Sequence, residues 1–186
     1  MVRTVKERLE THSWNSPEDM GALLAELVIY YNDRPHQGVH IKRMDLFQID
    51  DQGQLFISPD VDDWRPIAEQ GITVVCDLDD DLDVGVPEIP DQLLYIYFPF
   101  EDKDLPDLRR LHSIARLGAE LVRNGHKVLS HCGMGHNRSA LLMGVMLTYL
   151  GMSGEDAVAL IRQKRPGALY NKTFATYLQG LRTVSE

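Results

Sequence analysis

The chain has no apolar run long enough to cross a bilayer as a helix, which takes ~18 or more residues; its longest candidate, residues 140–150, stops short and contains Thr148. It has only two cysteines, Cys76 and Cys132, among 186 residues. That is no disulfide framework, and it fits a reducing, cytoplasmic location. A secretory leader is not expected either, because Arg3, Lys6, Glu7, Arg8 and Glu10 interrupt any apolar stretch at the N-terminus. Positive charge is scarce: the formal net charge is -9 and no basic cluster occurs. Binders of nucleic acid or anionic membranes carry a basic face, so neither partner is expected. The length suits one domain with a sizeable core and a modest extension.

What is present is concentrated in His131-Cys132-Gly133-Met134-Gly135-His136-Asn137-Arg138-Ser139. A thiol becomes a nucleophile as its thiolate, which backbone N–H groups, a helix N-terminus and a guanidinium all favour. All three lie near Cys132 in sequence if residues 128–130 end a strand and 139–150 form a helix. The segment between them must then curl, its amides forming an anion nest, with Gly133 and Gly135 permitting the curl. Arg138 adds a planar fork able to grip two oxygens of a tetrahedral anion. Phosphate, or sulfate in its place, is the expected occupant of residues 133–138.

This stretch resembles the signature of the protein tyrosine phosphatase superfamily, Cys, five residues, Arg, then Ser or Thr; the leading His and middle Gly match its small dual-specificity branch. Residues 97–107, Tyr-Phe-Pro-Phe-Glu-Asp-Lys-Asp-Leu-Pro-Asp, are similar to that branch's acid loop. The resemblance extends over about residues 44–184, and residues 154–168 resemble the closing region of regenerating-liver-type phosphatases. It implies a metal-independent phosphatase without a cofactor, working through a phosphocysteine. Cys132 would attack, Arg138 and the loop amides would hold the equatorial oxygens, and Asp102 would serve as acid and then base. Ser139 would ease departure of the sulfur, and His131 would organise the loop. Asp104 competes with Asp102 for the acid role. The substrate is a phosphorylated protein or, alternatively, a small metabolite or nucleotide phosphomonoester; a non-catalytic phosphate-binding module is the third reading. Tensin-type lipid phosphatases place lysines where this loop has Met134 and His136, which makes lipid headgroups a poorer fit.

Other segments are read more plainly. Seven acids, Asp77, Asp79, Asp80, Asp81, Asp83, Glu88 and Asp91, read as a solvated loop, or else as a fence that repels polyanions. Cys76 sits in an apolar run and reads as a buried strand thiol, although some relatives pair their nucleophile with a second cysteine placed slightly later. The side chains of His136 and Asn137 are expected to face solvent. Strands are expected at 46–50, 54–58, 72–78, 93–98 and 126–131, and helices at 60–70, 107–124, 139–150, 155–165 and 172–183, with Asp107, Ser153 and Asn171 as caps. This alternation predicts an α/β fold, a central and mostly parallel sheet with helices on both faces. Residues 1–43 read as an extension with one amphipathic helix near 17–31, and 44–186 as the catalytic domain.

Overall fold

The computed structural model describes residues 45–88 and 90–183; the extension and its expected helix lie outside the described residues. In chain order the elements are β1 (Phe47–Gln48), β2 (Leu55–Ser58), α1 (Arg65–Glu69), β3 (Val74–Asp77), β4 (Leu94–Tyr97), α2 (Leu108–Arg123), β5 (Val128–His131), α3 (Arg138–Tyr149), α4 (Gly154–Lys164) and α5 (Lys172–Gln179). The sheet runs β1-β2-β5-β3-β4, with β1 antiparallel and the other pairings parallel.

Strand composition explains the layering. Every residue of β2, β3 and β5 is buried, as expected for parallel strands covered on both sides. Alternate side chains then serve two cores. Leu55, Ile57, Val74, Cys76 and Val128 join the cluster built with α2 to α5, while Phe56, Val75 and Leu129 pack with Ile67, Ile72 and Val61 on the side of α1. Helix α3 is buried from Ser139 to Tyr149. It is apolar on all sides because helices and sheet surround it.

The expected caps are made. Asp107 accepts from the N–H groups of Arg109 and Arg110, Ser153 from Asp156, and Asn171 from Thr173 and Phe174. Two expectations need correction. The helix expected over 60–70 is only α1: Pro66 stands in its first turn, Asp63 takes the Arg65 N–H at 3.0 Å, and residues 59–64 stay irregular with Val61 buried. The strand at 93–98 is not buried like its neighbours, because β4 is a sheet edge, leaving Leu94 and Tyr97 exposed.

Register determines where chemistry can occur. Ser58 and Asp77 both pair with His131, so β2, β3 and β5 end level with one another. The chain therefore leaves three adjacent strands at one place, the usual ligand position in an open parallel sheet.

Candidate active site

Cys132 follows β5 directly and Arg138 opens α3, so residues 133–137 bridge a strand end and a helix start. Gly135 has φ +63, and a Cβ there would lie 2.5 Å from the Ser58 carbonyl carbon and oxygen. Only glycine fits this position, because the φ and the space both exclude a side chain. Cys132 is 3 % exposed, and its Sγ lies 3.4 Å from Ser139 Oγ. Asn137 stands at the N-cap of α3 yet makes no side-chain cap. The α3 amides that an Asn would ordinarily occupy are thereby left for another acceptor.

The Asn137 side chain is instead committed elsewhere. Its Nδ2 donates to Asp102 Oδ2 at 2.8 Å, and its Oδ1 accepts from the Asn171 N–H at 3.0 Å. Asn171 Nδ2 donates to Asp102 Oδ1, also at 3.0 Å. Each carboxylate oxygen of Asp102 thus receives one amide donor. Neither amide is free to flip: the Oδ1 of Asn137 is used by Asn171, and that of Asn171 caps α5. The expectation that Asn137 faces solvent is therefore wrong; it is 1 % exposed. His136 is half-buried, its ring resting against Tyr170. Burial, then the charge of Arg165, lower its pKa below the ordinary value.

Arg138 is held by the loop that follows β3. Its Nη1 donates to the carbonyls of Leu78 and Phe100 and to Asp80, and its Nη2 donates to Asp79 Oδ1 at 2.9 Å. Nη2 carries two hydrogens, of which Asp79 takes one. Nε is buried with no protein partner. One N–H of Nη2 and that of Nε form a single edge of the guanidinium, the geometry of a two-oxygen grip.

Behind the nucleophile, His131 Nε2 lies 2.9 Å from Asp83 Oδ2, with both side chains almost fully buried. Asp77 also approaches His131, accepts from Tyr95 Oη and from the Asp79 N–H, and has its pKa raised chiefly by burial. Among the described residues, Asp77, Asp83 and His131 bring ligand atoms within 4.8 Å of one another; of the three, Asp77 is engaged by hydrogen bonds from Tyr95 and the Asp79 N–H. The acidic stretch is thus only partly a solvated loop. Asp77, Asp79, Asp80 and Asp83 belong to the site, while Asp81, Glu88 and Asp91 face solvent. Their position straight after a buried strand was the available signal. Cys76 is fully buried and its thiol is pushed up to about 12 by that burial.

Residues 56–183 match the family model described as dual specificity phosphatase, catalytic domain. The chain belongs to this family. The dual-specificity phosphatase is 30% identical over 128 residues to protein tyrosine phosphatase type IVA 3 of Mus musculus, covering 68% of this chain and 72% of that one. Its fold is similar to that of human DUSP28, with a TM-score of 0.61, 23% identity, and coverage of 72% of this chain and 90% of that one. It is also similar to PTPMT1 in a complex with PI(5)P, with a TM-score of 0.61, 16% identity, and coverage of 72% and 92%. The phosphatase is accordingly a cysteine-based protein tyrosine or dual-specificity enzyme that hydrolyses phosphoric monoesters. No helix among its described residues is long and apolar enough to cross a membrane.

Proposed function

We propose that Cys132 attacks the phosphorus of a phosphorylated side chain while the Arg138 guanidinium and the amides of residues 133–138, except that of Gly135, which donates to the Cys132 carbonyl at 3.1 Å, hold the equatorial oxygens. As the P–O ester bond breaks, Asp102 gives its proton to the departing oxygen. A water then attacks the phosphocysteine, its proton passes to Asp102, and the P–S bond breaks with the sulfur leaving as thiolate. Ser139 donates to that sulfur and His131 orders the chain behind it. The steps use no metal and no cofactor.

The observation that carries this reading is the Arg138 guanidinium, oriented by Asp79 and with its Nε free of any protein partner, at the start of the helix entered by the Cys132 loop. The two amide donors that orient the Asp102 carboxylate support it over Asp104; both residues are exposed in the same loop. A phosphorylated protein is the favoured substrate. PTPMT1 binds a phosphoinositide on the same fold, which keeps a small phosphomonoester as the second reading; the carboxylates of Asp79 and Asp80 beside Arg138 disfavour a substrate with several phosphates. Reduced Cys76 and Cys132 suit a cytoplasmic location.

The test is kinetic. Cys132→Ser should abolish turnover and still bind phosphate. Asp102→Ala should slow hydrolysis of phenyl phosphate by ~100-fold or more, with a much smaller effect on p-nitrophenyl phosphate, whose leaving group needs no proton. Asp104→Ala should leave both rates within about twofold of the parent. The reverse pattern moves the acid to Asp104; turnover by Cys132→Ser rejects the mechanism.

A further inference from the structure

The phosphate loop turns three successive carbonyls toward the segment after α4. Met134 O accepts from Arg165 Nη2 at 3.2 Å and Gly135 O from Arg165 Nε at 3.3 Å. The His136 carbonyl accepts from the Leu169 N–H at 2.9 Å. In a planar trans peptide the carbonyl of one residue and the N–H of the next point in opposite directions. Drawing the carbonyls of Gly135 and His136 to one side therefore sends the N–H groups of His136 and Asn137 to the other, as an anion nest requires.

The holding segment is itself fixed. The Arg165 guanidinium lies over the Phe47 ring, 3.9 Å from its centroid, a stacking contact open to arginine. Leu169 is fully buried at φ +57, a left-handed conformation that a side-chain-bearing residue adopts only at a cost. Arg162 Nη2 donates to its carbonyl at 2.9 Å, and its own N–H reaches the loop. Strain maintained by surrounding contacts in this way marks a position held for a purpose.

We propose that Arg165 is a positioning residue: its two bonds to the Met134 and Gly135 carbonyls keep the phosphate loop in its anion-receiving form. The inference rests on the reading of residues 133–138 as a phosphate cradle. Arg165 acts on the peptide planes, so both donors of its fork are needed and a point charge is insufficient.

The experiment uses the full chain and measures inhibition by inorganic phosphate and orthovanadate, together with kcat/KM on phenyl and p-nitrophenyl phosphate. Arg165→Met should weaken both inhibitors and lower kcat/KM on both esters by ~10-fold or more. The ratio between the two esters should stay unchanged, because Asp102 is not involved. Added guanidinium should restore part of the loss, Arg165→Lys should not recover it, and Phe47→Leu should show a smaller fall of the same kind. Inhibition of Arg165→Met at the parent's concentrations would overturn the proposal. So would full recovery in Arg165→Lys, which would reduce the role to charge. If neither anion inhibits the parent competitively, the cradle reading falls and this proposal with it; failure confined to the Arg165 variants leaves the cradle standing.

Discussion

Asp79 Oδ1 receives a hydrogen bond from Arg138 Nη2 at 2.9 Å, on a guanidinium whose Nε has no protein partner. The carboxylate occupies one donor of the fork and so fixes how the guanidinium is turned. Asp79 also lies against the loop, its Oδ2 being 3.1 Å from where a Cβ on Gly133 would stand. Asp79→Ala, which removes the acceptor altogether, should therefore weaken competitive inhibition by phosphate by ~10-fold, the scale of one charge-assisted bond, and raise KM more than it lowers kcat. Steady-state kinetics on p-nitrophenyl phosphate with phosphate as inhibitor check this; an unchanged inhibition constant would refute the aiming role.

Asn171 can be altered without losing its cap. Asn171→Ser retains an acceptor for the first turn of α5 and removes the amide donor to Asp102. Turnover of phenyl phosphate should fall ~10-fold. The same change in an Asp102→Ala background should cost almost nothing more, since the two residues act as one unit. Additive losses in that double-mutant cycle would show that Asn171 acts through folding alone.

The two thiols should differ sharply in reactivity. Burial holds the Cys76 thiol protonated up to about 12, so native-state alkylation by iodoacetate at neutral pH should place one carboxymethyl group on the chain, at Cys132. Mass spectrometry of the digested protein locates it. Phosphate should protect that site, and Cys76 should react only on unfolding.

A pH-sensitive contact lies on the far side of the helices. His112 joins α2 to α3 and α5 by contacts with Tyr149 Oη, at 2.8 Å, and Tyr177 Oη. Burial first, and then Arg116, lower its pKa. A depressed histidine contributes stability that is complete above its unfolded value of ~6.5 and lost as pH falls through the folded one. The melting temperature of the parent should thus fall more steeply than that of His112→Asn between pH 7.5 and pH 5. Parallel curves would remove His112 as the source.

Local signals made much of this molecule legible in its sequence. Asp107, Ser153 and Asn171 cap their helices as expected, Cys132 and Gly135 fall between a strand and a helix, and Arg138 opens that helix, because caps and tight turns depend on neighbouring residues. The site's supporting residues were less visible. Asp79, Asp80 and Asp83 look in sequence mainly like a wet loop because their partners, Arg138 and His131, lie 48 to 59 residues away. Only the strand order, with β5 beside β3, brings them together. Asn137 looks exposed in sequence for a similar reason: its burial depends on Asp102 and Asn171, from segments thirty or more residues away on either side. Arg165 is unremarkable in its own neighbourhood, and its partners lie about thirty residues upstream.

The close approach of Gly135 to the Ser58 backbone ties the catalytic loop to β2, a strand that carries none of the reacting groups. A methyl group at 135 would wedge the loop away from the sheet and pull the Gly135 carbonyl off Arg165. Damage would then spread to every amide facing the anion, although no reacting atom had been changed. The tolerance of this enzyme to variation is therefore set partly at a main-chain seam, where substitutions at Ser58 or Pro59 that shift the backbone can act as catalytic lesions at a distance.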